Sequence, residues 1–391
     1  MSFKNFFSRI DYGQLFLIFL LFGVSLVAIY SAQQGIVYED RNFLLMQTVF
    51  YASGLVIAFV VMQFDHKQLM KVVWYLYGIG VGLSAFILLA PTTQLTAPIK
   101  GAKRWIHIPY VTSIQPSEFM KIFLIIALAC VVHQHHKRYE LKSSKTDLIL
   151  FGKLVFFTFL PLVFIIKEDL GTSIILLAIM GSIMLVSGIS WRWLLPVFFA
   201  AVMIVAGLLY LVFEKPHILE DYLGVKTFRL ERLYAWHDPY SSPGEHSFQL
   251  IKSFTAIGSG EVTGKGFKQR EVALPEAHSD FIFSIVGEEY GFLGGSLVII
   301  LFFILIFIWI RIALETKLDF NSYICVGIIG LFTFQVFQNI GMTIGLMPIT
   351  GIPLPFLSYG GSSLWSSMMA LGLIFSIRYH HKVYMFGSED N

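Results

Sequence analysis

Long apolar runs alternate with short polar segments along the chain. Each run reaches the length, about 17 residues or more, that an α-helix needs to cross the hydrocarbon core of a bilayer. The runs occupy residues 12–32, 43–64, 73–90, 115–135, 148–166, 172–188, 194–213, 281–310, 322–345 and 359–378. The pattern predicts an all-α polytopic membrane protein with about ten transmembrane helices.

One polar segment is much longer than the others and lies between the seventh and eighth runs, at residues 214–280. It mixes aromatic with polar residues, as in "FRLERLYAWHDPY". That composition is typical of an ordered loop and not of a flexible Gly/Ser linker. The sequence therefore predicts a single membrane domain over residues 1–391, with one large loop between helices 7 and 8.

Lys and Arg are distributed unevenly between the two sets of loops. If the N-terminus is cytoplasmic, most of them fall on the cytoplasmic side, and the short loops on the other side hold only Arg41, Lys100, Lys103, Arg104 and Lys167. Cytoplasmic loops of membrane proteins carry an excess of Lys and Arg. We therefore expect both termini in the cytoplasm and the large loop outside, together with the loop at 91–114 and the turn at 167–171.

The composition argues against several broad classes of protein. With 56% hydrophobic and 14% charged residues, the chain is too apolar for a soluble globular domain. The net charge of +3, without a basic stripe interleaved with aromatic residues, argues against nucleic-acid binding. Cys130 and Cys325 both fall within apolar runs, so a disulfide framework is not expected.

Acidic residues stand at and inside the start of the eighth run, in "ALPEAHSDFIFSIVGEEYGFLGG". Asp280 directly precedes the predicted helix, so it is either an N-cap for free backbone amides or a general base at the membrane surface. Glu288 follows about two helical turns later, and Glu289 points about 100° away from it. We expect Glu288 to face the same cavity as Asp280, with a buried contact between helices as the alternative.

The fourth run opens with "SIQPSEFMK", in which Glu118 and Lys121 are three residues apart. That spacing predicts an intrahelical ion pair, which lowers the cost of burying both charges. The pair is either structural or leaves an ammonium group for a phosphate. The preceding "GAKRWIHI" places Arg104 beside Trp105, and tryptophan at a membrane boundary is usually an interfacial anchor.

Two further stretches are rich in glycine or proline. The glycines of "GSGEVTGKG" suggest a nucleotide-phosphate loop, but Gly266 follows Lys265 where such a loop needs Ser or Thr. The segment at residues 345–363 carries Pro348, Pro353 and Pro355 among several glycines. Broken helix at membrane depth is tolerated where the backbone lines a cavity, so we expect this segment to shape a recess for substrate.

Six motifs together resemble the SEDS (shape, elongation, division and sporulation) family of bacterial peptidoglycan glycosyltransferases. In the family's order they are "GAKRWI" with "QPSEFMK", "EDLGT", "RLERLYAW", "AIGSG", "LPEAHSDFIFSIVGEEYGFLG" and "PITGIPLPFLSYGGSS". The stretch "GMTIGLMPITGIPLPFLSYGG" is more similar to RodA, the elongation branch, than to the division or sporulation branches. The resemblance implies a multi-pass protein of the bacterial plasma membrane with its active site on the outer face.

The resemblance also assigns roles to residues. Asp280 corresponds to the family's essential acid, and Asp169 to the acid of its "PDLGT" motif, where Glu168 here replaces the usual proline. The expected substrate-binding residues are Arg104, Trp105, Glu118, Lys121, Asp169, Arg229, Arg232, Glu288, Ser358 and Ser362. No metal-binding residue is expected.

The implied reaction is the polymerisation of lipid II, the undecaprenyl-pyrophosphate-linked disaccharide-pentapeptide, into glycan strands for elongation and rod shape. Asp280 would deprotonate the GlcNAc 4-hydroxyl of one lipid II, which attacks the anomeric carbon of another with inversion. The cations expected to stabilise the departing pyrophosphate are Arg104, Lys121, Arg229 and Arg232. A divalent cation at the pyrophosphate is a further alternative, although the sequence shows no ligand set for one.

The resemblance implies protein partners as well: a class B penicillin-binding protein, which is the crosslinking transpeptidase, and other membrane proteins of the elongation complex. Three alternatives stay open. A lipid II flippase also has many spans, intramembrane charges and broken helices, but it needs access from both faces. A noncatalytic scaffold would tolerate neutralisation of Asp280. A division or sporulation paralogue would catalyse the same reaction elsewhere in the cell.

Overall fold

The computed structural model describes residues 11–33, 42–99, 101–108, 112–139, 141–215, 227–242 and 244–384. In this part of the chain the helices are α1 (Tyr12–Gln33), α2 (Phe43–Met62), α3 (His66–Leu89), α4 (Pro116–Arg138), α5 (Ser144–Ile165), α6 (Leu170–Val186), α7 (Trp191–Glu214), α8 (Thr227–His237), α9 (Glu245–Ser259), α10 (Ile282–Glu315), α11 (Asp319–Thr343) and α12 (Gly361–Tyr384). A 3-10 turn at Gln94–Thr96 and a hairpin of β1 (Ile106–Ile108) and β2 (Thr112–Ile114) lie between α3 and α4. The hairpin is antiparallel, with Ile106 opposite Ile114.

The predicted fold class, an all-α polytopic membrane protein, is confirmed. Each predicted apolar run corresponds to one helix, namely α1 to α7 and α10 to α12. Within the described ranges, 8 helices are long and apolar enough to cross a membrane, and α6 is a shorter apolar helix.

Besides the end of α12, which lies at Tyr384 and not at residue 378, two helix boundaries differ from the predicted ones by five residues or more. α3 begins at His66 and not at residue 73, because Asp65 and Gln68 form a capping box: Asp65 Oδ1 accepts from the Gln68 amide at 2.7 Å. α10 continues past residue 310 to Glu315, where Arg311 Nε lies 2.8 Å from Glu315 Oε1. Polar residues thus extend both helices beyond the run that hydropathy detects.

α4 is the central helix of the bundle. It packs against α3, α5, α6, α11 and α12. Of the 18 residues in its most apolar stretch, 83% are buried. α2 packs along α12, and α10 packs against α1 and α11. α7 lies at the periphery, and only 6% of the residues in its most apolar stretch are buried. We therefore infer that its apolar side chains face lipid in a membrane.

The described part of the large loop contains α8 and α9. α9 packs along α10, and α8 packs on α9 and touches the end of α7. Tyr234 of α8 donates its hydroxyl proton to the carbonyl of Val212 in α7 at 2.9 Å. These two helices of the loop are therefore folded onto the bundle.

The segment between α9 and α10 packs against a break in α10. Gly291, inside α10, has a φ of +60°, so the helix is interrupted there. A Cβ on Gly260 would overlap the carbonyl oxygen of Gly287, and a Cβ on Gly264 would overlap that of Glu289. Glycine at these two positions lets the backbones touch. This packing explains two of the four glycines of the "GSGEVTGKG" stretch, Gly260 and Gly264.

Candidate active site at one end of the bundle

A cavity of about 1690 Å³ lies at the end of the bundle where α4, α6 and α10 begin. Its walls come from the hairpin, the starts of α4 and α6, helices α8 and α9, the residues before α10, and residues 344–360, here called the last loop. The charged residues on its walls are Arg104, Glu118, Lys167, Glu168, Asp169, Glu231, Arg232, Glu245, Glu276 and Asp280. The cavity is thus polar and carries both signs of charge.

Asp169 connects the starts of α4 and α6. As the N-cap of α6 it accepts from the Thr172 amide at 3.1 Å and from the Thr172 hydroxyl at 2.7 Å. Gln115 and Ser117, at the start of α4, donate to its Oδ2 at 2.6 and 3.2 Å. Arg104 Nη1 lies 3.5 Å from its Oδ1. Because these bonds fix the carboxylate, Asp169 orients Arg104 on the cavity wall.

The predicted ion pair of Glu118 and Lys121 is present, with 2.7 Å between Lys121 Nζ and Glu118 Oε2. Ser366 of α12 donates to the same carboxylate oxygen at 3.0 Å. Glu118 lines the cavity, whereas Lys121 is 1% exposed and is not among the described lining residues. The pair therefore presents its carboxylate to the cavity and keeps its ammonium group behind it.

Asp280 lies half-buried on the cavity wall, two residues before α10 begins at Ile282. Phe281, and not Asp280, occupies the N-cap position of α10. Gly351 of the last loop approaches the carboxylate closely. Its φ is +70°, and a Cβ there would lie 3.3 Å from Asp280 Oδ2.

Hydrogen bonds from other segments of the chain hold the backbone at residues 278–280. The last loop and α11 supply the donors to three successive carbonyl oxygens: Tyr359 N to His278 at 2.9 Å, Ser358 Oγ to Ser279 at 2.7 Å, and Asn339 Nδ2 to Asp280 at 2.8 Å. The position of Asp280 therefore depends on segments that are distant in the sequence.

Arg232 brings a second cation to the cavity from α8. Its Nε donates to Nε2 of His246 at 3.4 Å. Burial lowers the pKa of Arg232 and the charge of Arg104 lowers it further, whereas Asp280 and Asp169 raise it. Because a guanidinium stays protonated in proteins, Arg232 brings a permanent positive charge to the same cavity as Arg104, Asp169 and Asp280.

The sequence profile of the FtsW/RodA/SpoVE family, described as "Cell cycle protein", matches residues 13–383. The chain belongs to the FtsW/RodA/SpoVE family. It is 33% identical to a "Probable peptidoglycan glycosyltransferase FtsW" of Lactococcus lactis subsp. lactis (strain IL1403), over 94% of this chain and 91% of that protein. It is 32% identical to "Stage V sporulation protein E" of Bacillus subtilis (strain 168), over 92% and 94% of the two chains.

Solved structures share the fold of this FtsW/RodA/SpoVE protein. A chain from "Structural coordination of polymerization and crosslinking by a peptidoglycan synthase complex" matches with a TM-score of 0.76 and 25% identity, over 97% of this chain and 99% of that chain. The rod shape determining protein RodA of Thermus thermophilus matches with a TM-score of 0.67 and 25% identity, over 95% and 97%. The sequence relatives above carry FtsW and SpoVE names, so the RodA branch is not singled out.

Ser358, a predicted substrate-binding residue, forms hydrogen bonds within the protein. It is 5% exposed and is not among the described residues that line the cavity. Its hydroxyl donates to the Ser279 carbonyl and accepts from the Leu354 amide at 2.8 Å. The structure therefore shows Ser358 in contact with the segment of Asp280, and its contact with substrate stays a prediction.

Glu288 also lies away from the cavity, contrary to the expectation that it faces the same space as Asp280. Its side chain is fully buried, and its Oε1 is 2.9 Å from Lys265 Nζ. The same oxygen accepts from the amides of Glu271 and Val272 at 2.8 and 3.1 Å. The break at Gly291 brings this segment over the helix, so the buried structural contact is the alternative that the geometry favours.

Two of the three remaining predicted substrate-binding residues line the cavity. Trp105 and Ser362 lie on the cavity wall, and Ser362 Oγ accepts from the Gln115 amide at 3.0 Å. Arg229 belongs to α8, but its side chain lies outside the described part of the structure.

Several residues of the site were missed by reasoning from sequence. Gln115 and Ser117 stand inside the quoted "SIQPSEFMK" motif, yet nothing in the motif shows that they bind Asp169. His246 lies in the large loop, without a recognisable pattern around it. Asn339 did carry a signal, because a polar residue inside an apolar span usually makes a specific contact.

Proposed function

We propose that this chain is a peptidoglycan glycosyltransferase that polymerises lipid II. The observation that carries the proposal is the carboxylate of Asp280 on the wall of a cavity of about 1690 Å³. Ordinary ligand pockets occupy roughly 300–1,000 Å³, so this space suits a larger substrate such as a disaccharide-pentapeptide. Relatives named probable peptidoglycan glycosyltransferase FtsW support the same reaction class.

The proposed reaction is a single displacement. Asp280 accepts the proton of the GlcNAc 4-hydroxyl of one lipid II as that oxygen attacks the anomeric carbon of the lipid-linked donor. The new glycosidic bond forms as the bond from the anomeric carbon to the pyrophosphate oxygen breaks. The configuration inverts, and undecaprenyl pyrophosphate departs with the electron pair of the broken bond.

The charged residues around the cavity are proposed to stabilise the leaving group and to bind the substrate. Arg104 and Arg232 are the two arginines on its wall, and both are suited to stabilise the negative charge that develops on the leaving pyrophosphate. Asp169 holds Arg104 in place through the contact of 3.5 Å. Glu118, backed by Lys121, offers an acceptor for hydroxyl or amide groups of the substrate.

A divalent cation at the pyrophosphate stays a prediction. Among the residues that the structure describes, no three His, Cys, Asp or Glu side chains come together as a metal site. Phosphate oxygens supply part of the coordination of such ions in other enzymes. No step of the proposed displacement is assigned to a cation.

The proposed site faces the outside of the bacterial plasma membrane. The described parts of the loop at 91–114, of the turn at 167–171 and of the large loop lie at the cavity end. The excess of Lys and Arg in the opposite loops assigns these segments to the outer side. Lipid II polymerisation takes place at that surface. A class B penicillin-binding protein is the proposed partner, supported by the fold shared with a chain of a peptidoglycan synthase complex.

The proposed cellular role is elongation, together with the membrane proteins of the elongation complex. The stretch "GMTIGLMPITGIPLPFLSYGG" supports it, whereas relatives named FtsW and SpoVE favour division or sporulation. Expression of the chain in bacteria depleted of their own RodA or of their own FtsW separates these roles. Restored rod shape supports elongation, and restored septation in its place overturns it.

The reaction is tested with the purified full chain and its transpeptidase partner in lipid nanodiscs, supplied with labelled lipid II. We expect the native protein to form glycan strands, and Asp280→Asn to lower the rate at least about 100-fold, because the isosteric amide accepts no proton. Glu271→Gln is the matched control, since this carboxylate of the same loop is 80% exposed and contacts Lys265 outside the cavity.

Three outcomes decide the proposal. Full loss in Asp280→Asn with native folding and an active Glu271→Gln control supports a polymerase with this base. Equal product from the native protein and Asp280→Asn removes the base assignment. Absence of glycan from the native protein, with labelled lipid II moved across vesicle membranes, replaces the polymerase with a flippase.

A further inference from the structure

Asn339 is a fully buried amide in α11, four residues before that helix ends at Thr343. A polar side chain inside an apolar span is costly unless it bonds within the protein. Asn339 Nδ2 lies 2.8 Å from the carbonyl oxygen of Asp280 and 2.8 Å from that of Ile352. A carboxamide has two N–H donors, so both are used, and they join the segment of Asp280 to the last loop.

The two carbonyls are placed where they affect the carboxylate of Asp280. One belongs to Asp280 itself. The other belongs to Ile352, the neighbour of Gly351, where an added Cβ would lie 3.3 Å from Asp280 Oδ2. Asn339 therefore sets the distance between the backbone that carries the carboxylate and the loop that walls it.

We propose that Asn339 is a positioning residue for the general base: its amide fixes the carboxylate of Asp280 at the cavity wall by holding Asp280 and the last loop together. The inference rests on the proposed role of Asp280. A displacement of about 1 Å between reacting groups lowers a rate by roughly 100-fold, so the loss of this amide acts on turnover. Binding of lipid II depends on the rest of the cavity and changes little.

The neighbouring residue in α11 provides a matched control. Gln338 is 1% exposed, and its Nε2 donates to the Pro348 carbonyl of the same last loop at 2.9 Å. Removal of the Gln338 amide leaves one carbonyl of the last loop without its donor, whereas removal of the Asn339 amide leaves two carbonyls, so we expect the Asn339 change to cost more stability. Only the amide of Asn339 bonds the residue that carries the proposed base, so a purely structural role predicts similar kcat values for the folded molecules of the two variants.

The test compares Asn339→Leu with Gln338→Leu in the full chain with its partner, with kcat and KM measured for labelled lipid II. We expect Asn339→Leu to lower kcat roughly 100-fold with KM within about twofold, and Gln338→Leu to keep kcat within about threefold. Asn339→Asp keeps the shape, and its carboxyl group, which burial favours in the protonated form, has one O–H for one of the two carbonyls, so an intermediate kcat is expected. This second variant decides the matter where Asn339→Leu does not fold, as judged by thermal unfolding.

Equal losses of kcat in the Asn339 and Gln338 variants, or a rise in KM without a fall in kcat, overturn the positioning role. Asp280→Asn measured alongside separates this failure from failure of the proposed function. If Asp280→Asn is inactive and the Asn339 variants behave like Gln338→Leu, only the positioning role fails. If Asp280→Asn is as active as the native protein, the base assignment fails and the positioning role fails with it.

Discussion

Two buried glutamates, each bonded to a lysine, occupy different kinds of environment. In the cavity pair, Glu118 and Lys121 are 2.7 Å apart on one helix, and the carboxylate lines the cavity. In the loop pair, Glu288 and Lys265 are 2.9 Å apart, and the carboxylate also accepts two backbone amides. The two glutamates are alike in burial and charge. Glu118 borders the open cavity, whereas Glu288 is bonded by backbone amides.

The difference shows that a buried ion pair does not by itself mark a functional site. What separates the two is the use of the carboxylate's other hydrogen-bonding positions. In the loop pair, protein amides fill positions on Glu288 and so attach the segment before α10 to the broken helix. In the cavity pair, Glu118 keeps a face toward the space proposed for substrate. Changes to the two regions should therefore affect different measurements.

The largest effect is expected from a methyl group placed where the loop touches α10. Gly260→Ala would drive a Cβ into the Gly287 carbonyl, and the two backbones would have to separate. We expect a loss of more than about 4 kcal/mol in the free energy of unfolding, seen as little folded protein in membranes. Gly258→Ala is the control, because nothing lies within 4 Å of its Cβ position. Similar yields of the two variants would contradict the close approach.

Neutralising the cavity pair should mainly affect turnover. The double change Glu118→Gln with Lys121→Gln avoids leaving one buried charge alone, which would be costly. We expect lipid II polymerisation to fall by roughly 10- to 100-fold with the protein still folded, because the carboxylate that faces the substrate is gone. A rate within twofold of native would make the cavity pair structural, like the loop pair.

Neutralising the loop pair should mainly affect stability. Glu288→Gln with Lys265→Gln weakens the charge-assisted bonds to the Glu271 and Val272 amides. We expect a loss of about 2 kcal/mol in the free energy of unfolding, measured by thermal unfolding in detergent. The initial rate of polymerisation at low temperature should stay close to native. A turnover defect as large as that of the cavity-pair variant would show that the distinction between the pairs is false.

The described helices other than α8 and α9 could be predicted because each has an apolar stretch of roughly a membrane's thickness, and errors arose where polar residues continued a helix. The Glu118 and Lys121 pair could also be predicted, since a spacing of three residues determines it. Ser358 and Glu288 could not be placed. The Ser279 carbonyl that Ser358 bonds lies 79 positions away, and the amides that bond Glu288 lie 16 and 17 positions away, so local spacing carries no information about these contacts. Sequence shows that a polar residue is present, whereas the fold decides whether protein or substrate takes its hydrogen bonds.

The smallest predicted effect concerns His246, which lies on the cavity wall. Burial lowers the pKa of its imidazole and the charge of Arg232 lowers it further, while Glu245, Glu231 and a hydrogen bond with Gln249 oppose the shift. The neutral ring accepts the Arg232 bond at 3.4 Å. The protonated ring has no free acceptor and would repel the guanidinium.

The lowered pKa of His246 makes part of the stability depend on pH. Above the ordinary pKa of about 6.5 this contribution is complete, and it is lost as the pH falls from there through the lowered value, because the unfolded chain takes up the proton first. His246→Asn removes that dependence. The fall in apparent Tm between about pH 7.5 and pH 5.5 should be smaller in the variant by about 2 °C. The other histidines contribute equally to both proteins, so identical slopes would mean that His246 is protonated as easily in the folded cavity as in the unfolded chain.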